Sequence, residues 1–362
     1  MRRLLDALAA VAIAGVVAAG GVAQADTAAN DAAAPAAAPA DAFMRGVTIS
    51  CFRSGPGEWD SPQMDASLGD IQRIGATWMT FHPYGRISAD GSVRHRATVD
   101  DASVLEPIAM AHARGMKVML KPHLAYWRSG FSWRGEIRFD DERHWQRFFE
   151  QYGQFILTQA RMAEAAGAAM FVVGTELKGT LHREKEWREL IAQVREVYSG
   201  ELTYAANWDA YQHVPFWDAL DCIGIQAYFP LTEADNPTEA QLHRGWDALL
   251  PTLEAFSRKA GKSVLFTELG YNASEHAGRE PWEAKVVGDD GHAVKLRCMG
   301  VALKRIEQSP VVRGVFLWKW FPTDRDLKHD FVLQYPEMRD LIGDAWATSI
   351  TSPDDTSQPI RQ

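Results

Sequence analysis

The chain has 362 residues, enough for one large barrel domain or two smaller ones, and its 46% hydrophobic and 23% charged content is that of an ordinary globular protein. A formal charge of −9 gives it no electrostatic reason to bind nucleic acid or an anionic membrane surface. Three cysteines exclude a disulfide framework and leave room for one bridge at most, and no Cys and His spacing reads as a structural zinc site.

Arg2 and Arg3 precede an apolar segment from about Leu4 to Val22, interrupted by Asp6, and Ala23-Gln24-Ala25 supplies the small-residue pattern of a signal peptidase site. Residues 1–25 are expected to be a cleaved leader that sends the protein to the periplasm or out of the cell. Rich in Ala and Gly, the segment is weakly hydrophobic for a stable membrane span, so no lasting membrane association is expected. Its removal takes Arg2, Arg3 and Asp6 with it and moves the formal charge from −9 to −10. Residues 26–42, mostly Ala, Pro and Asp, have almost nothing to bury and read as a flexible linker.

From here short apolar runs alternate with helical spacing. Arg45–Ser50 reads as a first strand, followed by a Gly- and Pro-containing loop over Cys51–Met64 and a helix over Asp65–Ile74, with Gly75 as its stop. Ala76–Tyr84 is a second strand, Asp100–Arg114 a helix, and Lys117–Leu124 a third strand. Ala125–Phe139 is a long loop carrying Tyr126, Trp127, Phe131 and Trp133 among arginines and glycines. A helix over Asp140–Ala166 leads into a fourth strand from Phe171, which ends in Thr175-Glu176-Leu177-Lys178. After a helix over Glu184–Tyr198 come strands over Leu202–Trp208 and Cys222–Phe229, a helix over Thr238–Ala260, and a seventh strand over Val264–Tyr271 that carries Glu268. A polar loop over Asn272–His292, a helix over Ala293–Gln308, a strand over Gly314–Trp320 and a helix over Pro336–Trp346 complete the series.

Eight strands separated by crossover helices predict a parallel sheet, and eight units in about 300 residues fit a single (β/α)8 TIM barrel over residues 43–347, with a tail at 348–362. An open doubly wound sheet fits less well, because no Gly-x-Gly-x-x-Gly turn follows the first strand. In a barrel all strand C-termini meet on one face. That face gathers His82, Tyr84, Lys121, His123, Glu176, Asn207, Trp208, Tyr228, Glu268, Trp318 and Trp320. Two carboxylates among amide and hydroxyl donors and flat aromatic rings suit a sugar substrate: rings stack on sugar C–H faces, and paired carboxylates perform glycoside hydrolysis. Trp127 and Trp133, with Arg128 and Arg134, would extend the cleft from the loop after the third strand.

Each of these residues also has a plainer use. Some of the 13 tryptophans must be core. His82 and His123 could be hydrogen-bonded structural histidines. Glu176 could be held in an ion pair by Lys121 or Lys178.

Thr-Glu-Leu-Lys after the fourth strand, Gln226-Ala227-Tyr228 on the sixth, Phe266-Thr267-Glu268-Leu269-Gly270-Tyr271 on the seventh and Phe316-Leu317-Trp318-Lys319-Trp320 on the eighth resemble the clan A retaining glycoside hydrolases. Within that clan the chain is most similar to glycoside hydrolase family 113, whose characterised members are β-mannanases, over about Arg45–Trp346. The resemblance implies that Glu176 is the acid/base, Glu268 the nucleophile, Tyr228 the hydroxyl bonded to the nucleophile, and Trp318 the platform under the sugar. The clan usually has Asn before the acid/base, where it binds the sugar 2-hydroxyl; this chain has Thr175. The expected protein is an exported, monomeric retaining β-glycosidase, acting on a β-linked polysaccharide such as β-1,4-mannan and needing no cofactor. The alternatives are a non-catalytic or transglycosylating glycan-binding barrel, and a metal-dependent hydrolase built on His82, His123, Glu176 and Glu268.

Overall fold

Eight short, almost wholly buried strands close into a parallel barrel in the computed structural model, which describes residues 43–51, 58–323 and 331–348. The expected leader and linker lie outside the described residues, as do all but the first position of the tail and part of the loop after the first strand. The barrel strands, numbered here β1 to β8, are Met44–Ile49, Trp78–Phe81, Lys117–Leu120, Met170–Thr175, Glu201–Asn207, Ile223–Gln226, Val264–Leu269 and Val312–Trp320. Each pairs with its neighbours in sequence, and β1 meets β8 from Met44 opposite Gly314 onwards, so the barrel has no open edge.

Period-two alternation along each strand sends one set of side chains inward and the other toward the helices. Met44, Trp78, Met119, Met170, Val172, Ala205, Cys222, Leu265 and Phe316 form the inner cluster, so the interior is packed rather than hollow. Gly46 is required here: a Cβ would lie 2.1 Å from the Phe316 ring, which occupies that space instead. The outward set packs against α1 to α7, namely Pro62–Arg73, Ala102–Ala113, Glu142–Ala165, Glu184–Val197, Glu239–Ala260, Gly291–Glu307 and Pro336–Thr348. Helix α3 shows how the sequence builds this layer. Asp141 caps its first turn by accepting from the Arg143 N–H, and Trp145, Phe148, Tyr152, Phe155 and Ile156 recur on one buried face. Burying each such side chain contributes about 1.5–3 kcal/mol.

The predicted second and third strands are each cut short by a proline. β2 stops at Phe81 before His82-Pro83, and β3 stops at Leu120 before Lys121-Pro122. Proline has no N–H to offer the barrel ladder. Both chains bend outward and pair again: Tyr84–Ile87 runs parallel to His123–Ala125, with Tyr84 opposite His123, and antiparallel to Val93–Arg94. Tyr84 and His123 therefore stand on a side sheet above the rim, while His82 and Lys121 remain at the barrel mouth. Two smaller differences concern loops. The stretch after the side sheet contains a 3-10 turn at Arg134–Glu136, and α6 starts at Gly291, two residues before the predicted start.

Cys222 and Cys298 are buried, which raises their thiol pKa values to about 11 and about 12, and they are inert packing groups. No helix among the described residues is long and apolar enough to cross a membrane.

Candidate active site

Glu268 lies near the end of β7 and is almost wholly buried. Its Oε1 accepts from the Lys121 ammonium at 2.5 Å, and its Oε2 accepts from the Tyr228 hydroxyl at 2.9 Å. Lys121 also donates to the Thr267 carbonyl at 2.9 Å, so the lysine is tied to the same strand as the carboxylate it serves. Thr267 in turn donates from its hydroxyl to the Gln226 side chain on β6 at 2.9 Å. The bonds made by the Lys121 ammonium and by the Glu268 carboxylate are charge-assisted and, being buried, fix geometry as well as charge. Burial pushes the Lys121 pKa down and the Glu268 charge holds it up. Burial, followed by the Glu268 charge, drives the Tyr228 phenol far up, so it stays a donor.

His82 and His123 extend this region as a stack, with ring centroids 4.9 Å apart, and both face the Trp318 ring at 5.3 and 6.1 Å. Both are fully buried, and burial together with neighbouring cations lowers their pKa values well below the usual imidazole range. They are neutral at physiological pH. His123 Nε2 comes within 3.7 Å of Glu268 Oε1. Trp318 has the Lys121 and Lys319 ammonium groups 5.4 and 5.2 Å from its ring centre. Its polar surroundings set it apart from a core tryptophan.

Glu176 follows β4 directly and is held differently. Its backbone adopts φ of +56°, a left-handed conformation that costs a non-glycine residue about 1–3 kcal/mol. The surroundings keep it there. The Glu176 N–H donates to the Ala205 carbonyl at 2.8 Å, and the next N–H, that of Leu177, donates to the Tyr204 hydroxyl at 2.8 Å. Its carboxylate accepts from Arg134 Nη1 at 2.6 Å. Burial raises the Glu176 pKa, Arg134 opposes that rise, and the charge of Glu268 adds to it. Glu176, Glu268, Lys121 and Arg134 therefore share one electrostatic site, although they come from β4, β7 and the segment after β3.

The plainer reading of Glu176, an ion pair with Lys121 or Lys178, does not hold. Lys121 pairs with Glu268 instead, and Lys178 pairs with Asp209 at 2.7 Å. Arg134, expected to extend the cleft from the loop after the third strand, is the partner of Glu176. No local signal joins these two residues, which lie 42 positions apart.

The remaining predicted residues fall around this centre. Thr175 is buried, and its hydroxyl donates to the Pro122 carbonyl at 3.3 Å. Asn207, at the end of β5, donates from its amide to Asp209 at 2.8 Å, joining the Lys178 pair. Trp208 stacks on Trp282, with centroids 5.3 Å apart and planes 14° apart. Trp282 comes from the polar loop after β7, is 45% exposed, and was not picked out by the sequence. Trp127 is 49% exposed and leans on Tyr84 at 5.7 Å. Trp133 turns back over its own loop, so that a Cβ on Gly135 would lie 2.0 Å from its ring. Among the described residues no group of three or more His, Cys, Asp and Glu side chains is disposed to hold a metal ion, the set of His82, His123, Glu176 and Glu268 included.

Glycoside Hydrolase Family 113 is matched over residues 49–330, which takes in β2 to β8 and both glutamates. The chain belongs to that family. It is a glycoside hydrolase on a single (β/α)8 barrel. Among solved structures, a family 113 β-1,4-mannanase captured as a complex is 25% identical, covers 85% of this chain and 99% of its own, and superposes with a TM-score of 0.75. The family 113 β-mannanase AaManA from Alicyclobacillus acidocaldarius, in complex with ManMIm, is 28% identical over 85% of this chain and 98% of its own, with a TM-score of 0.74. A search of the curated proteins returns no match. Membership of the family makes a glycan the substrate class.

Proposed function

We propose that this family 113 hydrolase is a retaining endo-β-mannanase acting on β-1,4-linked mannan, with Glu268 as nucleophile and Glu176 as acid/base. The observation that carries this reading is the unequal treatment of the two carboxylates. Glu268 has an ammonium on one oxygen and a phenol on the other, the setting of a charged, oriented nucleophile. Burial and the charge of Glu268 raise the pKa of Glu176, which suits a group that must hold a proton in one step and lack it in the next. The similarity to two β-mannanases supports mannan as the polymer.

In the first step a Glu268 oxygen attacks the anomeric carbon while the glycosidic C–O bond breaks, and Glu176 gives its proton to the departing oxygen. In the second, Glu176 takes a proton from water, the water oxygen attacks the same carbon, and Glu268 leaves as a carboxylate. Two inversions give net retention. Trp318 offers the flat face for the sugar at the cleavage point. Export follows from the leader motif: the mature chain is expected to start at Asp26, which N-terminal sequencing of protein from the periplasm or medium would read directly.

Two variants test the assignment. Glu268→Ala is expected to lose about 10⁴-fold or more in turnover on every ordinary substrate, with azide restoring activity and giving a product of inverted configuration. Glu176→Ala is expected to lose about 10²- to 10⁴-fold on mannan while still reacting with glycosides of good leaving groups. Equal losses on both substrate types for Glu176→Ala would remove it from the acid role. Digestion of a β-mannan, β-glucan and xylan panel tests the polymer, and preference for either of the last two would overturn mannan.

A further inference from the structure

A largely buried arginine bonded to a general acid is an obstacle to the first step, because a guanidinium favours the carboxylate that cannot donate a proton. Arg134 is nevertheless built into the site with care. Its Nη1 donates to Glu176 at 2.6 Å, its Nε donates to the Leu124 carbonyl at 3.2 Å, and its guanidinium lies 5.6 Å from the centre of the Tyr126 ring. The backbone that carries it is docked on the segment just after Glu176. A Cβ on Gly179 would lie 2.5 Å from the Ile137 carbonyl oxygen and 3.0 Å from that of Gly135. Arg134 is thus fixed relative to β4 from both ends of its side chain.

Resting on the acid/base reading of Glu176, we propose that Arg134 is a positioning residue for the second step: it holds Glu176 as the carboxylate that takes a proton from water once the leaving group has gone. The groups facing Glu176 make such a counter-charge necessary. Arg134 and Lys121 approach from the segment after β3, Glu268 from β7, Tyr204 from β5 and Tyr228 from beyond β6. Lys121 is already bonded to Glu268, and the two tyrosines are buried and uncharged. Only Arg134 among these five donates to the Glu176 carboxylate. Without it, burial would be opposed only by the charge of Lys121 and would keep the proton on Glu176 through the second step, when Glu268 is a neutral glycosyl ester and adds nothing to that rise. The position of the two pH limits is then a compromise that Arg134 sets.

The test is the pH dependence of Arg134→Gln and Arg134→Lys beside the parent, with melting curves for each. On a β-1,4-manno-oligosaccharide, Arg134→Gln is expected to move the alkaline limb of kcat/KM up by about one pH unit or more, because the free enzyme keeps its proton longer. On a dinitrophenyl β-glycoside, where breakdown of the glycosyl-enzyme limits kcat, it is expected to lose about tenfold at neutral pH and regain that loss as the pH rises. Arg134→Lys should move both in the same sense by less, and it carries the test if the glutamine variant does not fold. An alkaline limb that stays in place in a folded variant overturns the proposal, as does a kcat loss that is the same at every pH. Glu176→Gln separates this from the parent assignment. If that variant keeps the alkaline limb, Glu176 is not the acid and both readings fall. If it loses the limb while the Arg134 variants keep it, only the role of Arg134 falls.

Discussion

Glu268 and Glu176 end equivalent strands of one barrel, yet the protein holds them by opposite means. Around Glu268 both hydrogen-bond donors are close to the barrel wall: Lys121 just beyond β3, Tyr228 just beyond β6, and the lysine tied back to the Thr267 carbonyl of β7. Around Glu176 the backbone is in an uncommon conformation and the charge partner arrives on a loop. The first arrangement resists change. The second can change its protonation, as the proposed acid/base role of Glu176 requires. The comparison teaches that equal placement in a fold does not give equal chemistry; the neighbours that close over each carboxylate do.

The sharpest way to break this contrast is Lys121→Met. It keeps most of the volume but leaves the Glu268 carboxylate buried beside an apolar chain. An expected cost of about 3–5 kcal/mol in stability and about a hundredfold in kcat would be read by denaturant melts and steady-state kinetics. A variant as active and as stable as the parent would mean that the cage is ornamental.

The neutral histidine pair on the Glu268 side gives a pH signature. Both folded-state pKa values lie well below 6.5, so below that pH the unfolded chain binds more protons than the folded one. Stability is therefore expected to fall as the pH drops below 6.5, by up to about 1.4 kcal/mol per histidine for each pH unit. Glu176 works in the other direction, since its raised pKa takes stability away as the pH rises above 4.5. Melting curves between pH 5 and 7 for the parent, His82→Gln and His123→Gln check this. An unchanged slope in both variants would show that the pair does not titrate on unfolding.

Among the loop aromatics the contrast is between an exposed ring and one packed on its own backbone. Trp127→Ala is expected to raise KM on polymer with little change in kcat or melting, since stacking away from the cleavage point stabilises substrate and transition state alike. Trp133→Ala is expected to cost about 1–2 kcal/mol of stability, because its ring covers Gly135 beside Arg134. The reverse pattern would relocate the cleft. The smallest effect is reserved for Lys178→Ala. Lys178 is two residues from Glu176 but half-exposed on Asp209, so less than about 1 kcal/mol and no shift of the alkaline limb are expected. A shift as large as that of Arg134→Gln would show that any nearby cation serves.

The barrel was legible because buried parallel strands write themselves as short apolar runs, and β4 and β7 break that pattern with a carboxylate that nothing local explains. Family membership followed from those same strand-end motifs. The side sheet was less legible, although its cause was in plain view: Pro83 and Pro122 sit where the second and third runs leave the ladder. What could not be read was partnership. Arg134 with Glu176, Lys121 with Glu268, and Trp208 with Trp282 are joined by the closure of the barrel and the folding of its loops, and no periodicity along the chain records them.

The left-handed backbone at Glu176 sets function against durability. Glycine would adopt that conformation at no steric cost, and asparagine at little. Either would also take a largely buried carboxylate out of the barrel mouth. On the acid/base role proposed for Glu176, a lineage selected only for resistance to heat would drift away from glutamate at position 176, gaining stability as it lost turnover.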